Sequence, residues 1–228
     1  MTHPSEQIFA EVFRAIRPRT PLPEFEVRFR AYADVNHVIR VREGRVEVGL
    51  SDLLEAAPPT VLEALAFILL SKLYRKPVPK RYQTRYRLFL NRRHIRDRAH
   101  AIRRVRGRKW IGDPAGAHFH LEEIFDELNQ KYFNGLLGRP QLSWSRTASR
   151  TLLGHWDAAH NAIIVSKIFD RAGTPRHLVE YILYHEMLHL KHPVEHRRAR
   201  RCVHSATFRE EEKRFPHYAA AKHLLESL

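Results

Sequence analysis

Apolar residues recur at helical spacing at Ile8, Val12, Phe13 and Ile16, and Pro18, Pro21 and Pro23 end that stripe. "EFEVRFRAY" (24–32) then alternates with a period of two, as a half-buried strand does, and "RVEVGL" (45–50) reads as a second strand. "AAPPT" (56–60) is a turn, and "VLEALAFILLSKLY" (61–74) predicts a buried helix. In "HLEEIFDELNQKYFNGLL" (120–137), Leu121, Ile124, Phe125, Leu128, Tyr132 and Phe133 line one helical face, and Asn134-Gly135 closes it. Three short strands are expected at 141–145, 152–158 and 162–166. A helix over 175–192 follows, opened by Thr174-Pro175 and stopped by Pro193. A charged helix near 205–214 and a C-terminal one near 217–226 finish the chain.

This pattern predicts an α+β protein in three parts: a small α+β domain (1–74), a basic helical segment (75–115) and a larger α+β domain (116–228). The helix "VLEALAFILLSKLYRKPV" (61–78) aligns without a gap to "HLVEYILYHEMLHLKHPV" (177–194), sharing Leu62/Leu178, Pro77/Pro193 and Val78/Val194. The expectation is a duplicated unit, with Leu69, Leu70 and Leu73 in the first copy where the second has its chemistry. The alternative is two buried helices alike only in composition.

Of 228 residues, 43% are hydrophobic, enough for folded domains. Lys plus Arg number 40 against 25 Asp plus Glu, a net charge of +15, which favours polyanionic partners. The single cysteine, Cys202, excludes an internal disulfide. The N-terminal residues lack a signal-peptide pattern, and the apolar run at 61–74 is too short to span a bilayer. The expectation is a cytoplasmic protein with no membrane partner.

The chemistry lies in "HEMLH" (185–189). A four-residue spacing puts His185 and His189 one turn apart on the same helical face, where both imidazoles can meet one ion. Glu186 is about 100° round the helix, within reach of a water on that ion. Two histidines need a third ligand to build a tetrahedral zinc site with one open position. His204, which begins "HSATF", is the leading candidate. His196 follows the break at Pro193 and is the alternative, with His192, Cys202 or an acid behind it. The bland reading is a hydrogen-bonded buried histidine pair.

"YHEMLHLKH…HSATF", with the helix and strands before it, resembles the SprT-like zinc metallopeptidases, the YgjP-like and Spartan-like proteins among them. The resemblance covers about 116–215. His185 and His189 match the family's paired ligands, Glu186 its catalytic base, and His204 with Phe208 its distal ligand motif. It implies a zincin-like fold, one Zn²⁺, and hydrolysis of protein or peptide substrates, often on or near DNA. The basic insertion "PVEHRRARR" before His204, which carries His196, departs from that pattern. The N-terminal half matches nothing in the family.

Residues 75–109 hold fifteen Lys or Arg, with Asp97 the one acid. Arg81, Arg85, Arg92, Arg93, Arg96, Arg103, Arg104, Arg106, Arg108 and Lys109 are the candidate nucleic-acid contacts, with Tyr82, Tyr86 and Phe89 as stacking platforms. The competing reading is a solvated helix face.

The leading function is therefore a zinc metallopeptidase with Glu186 as general base, acting on nucleic-acid-associated proteins, with "AIIVS" (162–166) as the edge that receives the peptide. Tyr184, His155 and His217 are unranked candidates for stabilising the oxyanion. One alternative is a YbeY-like metal-dependent endoribonuclease, which needs Gly in place of Glu186 and His in place of Glu195. The other is a basic nucleic-acid-binding protein with a non-catalytic metal.

Overall fold

The computed structural model describes residues 4–228 and divides the chain into two compact units. One runs to Gly107 and takes in His196–Arg200; the other is Arg108–Glu195 with Arg201–Leu228.

The first unit opens with α1 (Pro4–Ile16), which buries Phe9, Val12 and Phe13. Strands β1 (Glu24–Arg30), β2 (His37–Arg42) and β3 (Arg45–Ser51) form a sheet of order β1-β3-β2. β1 runs parallel to β3, and β2 antiparallel to it. Val46, Val48 and Leu50 point from β3 into the core beneath α2 (Pro59–Leu73). That helix buries apolar residues on most of its faces and leaves Glu63 and Lys72 toward solvent, as a helix largely enclosed by a core does.

The basic segment belongs to this unit down to Gly107 and is not a linker between domains. It forms α3 (Lys80–Leu90) and α4 (Arg93–Arg106), and Tyr82, Tyr86, Phe89 and Ile95 lie in the first core. Tyr82 stacks on Phe67 at 3.8 Å between ring centroids. The three aromatics expected to stack on bases are thus consumed by packing.

The second unit repeats the order of elements. Helix α5 (Leu121–Phe133) precedes β4 (Gln141–Trp144), β5 (Gly154–Asp157) and β6 (Ala162–Val165), and α6 (Arg176–Lys191) follows. The sheet order is β4-β6-β5, with β4 parallel and β5 antiparallel to β6. Hairpin β7–β8 (Glu195–Arg197, Arg200–Cys202), α7 (Ala206–Glu212) and α8 (Tyr218–Glu226) complete the chain. "AIIVS", expected at an edge, is the central strand β6; its residues 162–165 are buried on both faces. The edge beside α6 is β5 instead, where a Cβ on Gly154 would stand 2.9 Å from Ile182 Cγ2.

The spacing of the elements is the same in both units. α1/α5, β1/β4, β2/β5, β3/β6 and α2/α6 begin at 4/121, 24/141, 37/154, 45/162 and 59/176, each pair 117 apart. The sequence alignment of the helices is therefore one residue out of register. It was drawn by the prolines beyond the helices, and α6 has 16 residues where α2 has 15. In the corrected register Ile68, Leu69 and Lys72 stand at the places of His185, Glu186 and His189.

Candidate metal centre

Helix α6 presents the motif because it is clamped on nearly every side. Leu178, Val179, Ile182, Leu183, Met187 and Leu188 are buried around it, and Pro175 starts it with a fixed φ. His185 and His189 keep partial exposure, one turn apart. After α6 the chain makes the β7–β8 hairpin and returns through Ser205, whose hydroxyl caps α7 by accepting from Phe208 N–H at 3.2 Å. That cap fixes His204 just before the helix and Phe208 within its first turn.

The three imidazoles converge. His189 Nε2 and His204 Nε2 are 3.2 Å apart. Ring centroids are 5.0 Å apart for His185–His189, 5.0 Å for His185–His204 and 4.9 Å for His189–His204. One ligand atom from each lies within 4.8 Å of the other two. Tetrahedral zinc bonds would place such nitrogens roughly 3.3 Å apart. Phe208, fully buried, packs against all three rings at 4.7–5.2 Å and forms the apolar floor of the cluster.

His196 does not join them: it sits on β7 and groups with the first unit. Pro193 turns the chain into a hairpin rather than back onto α6. His192 is engaged by Glu211, and Cys202 directs Sγ to the His204 carbonyl.

The electrostatics suit a metal. Burial, with His185 and His204 nearby, lowers the His189 pKa to about 4, and burial also lowers that of His204. Both are neutral at pH 7, as ligands must be. Glu186 is 6% exposed, and burial raises its carboxyl to about 7 against the pull of His185 and a backbone hydrogen bond from Trp156. Such a group can accept and return a proton near neutrality.

One residue of the site escaped the sequence reading. Glu212, at the end of α7, places Oε1 2.7 Å from His185 Nδ1 and 2.7 Å from the Tyr181 hydroxyl that donates to it. The signal was one of spacing alone: Glu212 follows Phe208 by four residues and so shares its face of α7.

Of the oxyanion candidates, Tyr184 and His155 already have hydrogen-bond partners, whereas His217 is exposed with a ring contact. Tyr184 donates its hydroxyl to Glu211 O at 2.9 Å, His155 Nε2 meets Lys109 Nζ at 2.5 Å, and His217 packs on His177.

The sequence model of the SprT-like family matches residues 121–221, from the first residue of α5 into α8. This stretch is a SprT-like domain. The family is one of zincin-like metallopeptidases, and the triad and Glu186 all lie inside the matched residues. No curated protein and no solved structure matches the chain. The SprT-like domain supplies both the paired histidines of α6 and the distal histidine before α7. No helix among the described residues is long and apolar enough to cross a membrane.

Most of the candidate nucleic-acid residues have an intramolecular partner, several of them exposed and weak. Arg85 pairs with Glu63, Arg93 with Asp97, Arg103 with Asp34 and Arg106 with Asp52. Arg81 and Arg92 lie over the rings of Tyr82 and Phe89. Arg96 is half-buried with a buried, unpartnered Nε. Lys109, in the second unit, is bound by Asp157 and His155. Arg104 and Arg108 are exposed with no carboxylate partner among the described residues.

Proposed function

We propose that the SprT-like domain hydrolyses peptide bonds, using one Zn²⁺ held by His185, His189 and His204 and Glu186 as general base. The convergence of three imidazoles on one point beside a buried carboxyl carries this reading. A zinc ion held there would supply Lewis acidity toward the scissile carbonyl and a water with its pKa lowered to about 7. Glu186, buried beside the three imidazoles, would accept a proton from the attacking water and return it to the leaving amine. Glu212 holds the His185 ring through Nδ1 and leaves Nε2 for the ion. The peptide lies extended along the free edge of β5, which is held close to α6 at Gly154.

The protein meets its substrates at nucleic acid, a reading supported by the net charge of +15 and by the exposed Arg104 and Arg108. The endoribonuclease alternative is weakened by position: Glu195, where that reading needs a histidine, lies on β7 outside the cluster. Glu186→Gln tests the main reading. It should retain zinc and lose hydrolysis of a denatured protein, with or without nucleic acid; retained proteolysis ends the assignment.

A further inference from the structure

The outer face of the first sheet is a groove of about 450 Å³. β1, β2 and β3 point one set of side chains into the core and the other outward. The outward set includes Arg28, Arg30, Val38 and Arg40, with Gly49 as floor. Tyr32 lies across that floor; a Cβ on Gly49 would meet its hydroxyl oxygen at 2.6 Å.

In the second sheet the same face is covered by the chain itself. Residues 109–113 cross it from β5 to β4, a span of about 10 Å for three strands. Lys109 Nζ lies 3.3 Å from Asp157 Oδ2, and Gly112 N–H donates to Ser143 Oγ at 2.8 Å. Ser143 is 0% exposed beneath it.

The constant displacement of 117 gives the matching positions in the first sheet. Glu26 stands for Ser143 and Arg40 for Asp157. The groove over them is lined by the sheet's own residues and Tyr32. The charge at the anchor is reversed: Asp157 receives a lysine, whereas Arg40 presents a cation. Arg28 is held by Glu26, but Arg30 and Arg40 have no carboxylate partner among the described residues.

We propose that this groove docks an extended acidic polypeptide segment, laid across the first sheet as residues 109–113 are laid across the second. Arg40 takes a carboxylate where Asp157 takes Lys109, Arg30 takes another, and the Tyr32 hydroxyl is placed to donate to a backbone carbonyl. Glu26 and Glu47 on the floor oppose a continuous run of phosphates, while they can accept a peptide's N–H groups. The proposal is independent of the metal centre.

The test uses full-length Glu186→Gln protein, so that nothing is cleaved. Fluorescein-labelled peptides of about eight residues, enough to cross the sheet with overhang, alternate Glu-Thr or Lys-Thr, and binding is read by anisotropy. The parent should bind the Glu-Thr peptide saturably. Arg40→Asp should weaken it about tenfold or more and gain the Lys-Thr peptide, because it restores the charge found at Asp157. Arg30→Gln, checked for fold by circular dichroism, should weaken the acidic peptide without gaining the basic one. Absence of saturable binding overturns the proposal, as does affinity indifferent to both substitutions. Displacement of the peptide by oligothymidylate, with DNA affinity falling equally in Arg40→Asp, would make the groove a phosphate site and overturn it too.

Discussion

Glu212 Oε1 stands 2.7 Å from His185 Nδ1, and it is the same oxygen that receives the Tyr181 hydroxyl. A carboxylate of α7 thus fixes the tautomer and the plane of the first histidine of α6 before any ion arrives. Removing it should loosen the ring. Glu212→Gln is expected to weaken zinc about ten- to a hundredfold, measured by competition with a chromophoric chelator. Unchanged affinity would mean that α6 alone orients His185.

The same residue makes stability depend on pH. Burial pushes the Glu212 carboxyl up, but the hydrogen bonds from His185 and Tyr181 outweigh it and bring the pKa to about 2. A depressed pKa contributes stability above the unfolded value, near 4.3, that is lost as pH falls toward the folded value. Metal-free wild type should therefore lead Glu212→Gln in urea unfolding at about pH 7, and the gap should shrink between about pH 5 and pH 2. A constant gap would contradict the linkage.

Gly154 sets the distance between β5 and α6. A methyl there would stand 2.9 Å from Ile182 Cγ2 and 3.1 Å from Glu186 Oε1. Gly154→Ala should keep the metal, whose ligands lie elsewhere, and reduce kcat by about ten- to a hundredfold through displacement of Glu186. Loss of zinc with the activity would show a wider collapse.

The sequence revealed the two helices that frame the site because their signals are local. Leu121, Ile124, Phe125 and Leu128 repeat at helical spacing, and HEMLH sits on a buried helix bounded by Pro175 and Pro193. His204 was legible through its phenylalanine partner four residues on. Strand β2 went unseen because its alternation is blurred: Val38 faces out into the groove and Val41 is 53% exposed. The basic segment misled because charge hid a core stripe. Tyr82, Tyr86 and Phe89 read equally well as bases' stacking partners or as buried rings, and only packing on Phe67 decides. Glu212 could be placed on Phe208's face of α7 by its spacing, but its meeting with His185 depends on how α7 crosses α6.

The ion pairs of the basic segment sort its arginines. Arg104→Glu should lower nucleic-acid affinity and reduce the salt slope by about one, with little change in Tm. Arg106→Ala breaks the pair with Asp52, of which the two side chains are 35% and 28% exposed, and should cost stability by up to about 1 kcal/mol. Titrations of a duplex across salt concentrations, beside thermal melts, separate the two effects. Equal loss of binding in both variants would contradict the sorting.

The central claim is the identity of the three ligands, and metal analysis of purified protein tests it most directly. Wild type should carry about one zinc per chain, His196→Ala should keep it, and His204→Ala should lose it. No zinc in wild type after reconstitution, or loss in His196→Ala with retention in His204→Ala, would contradict the site described above.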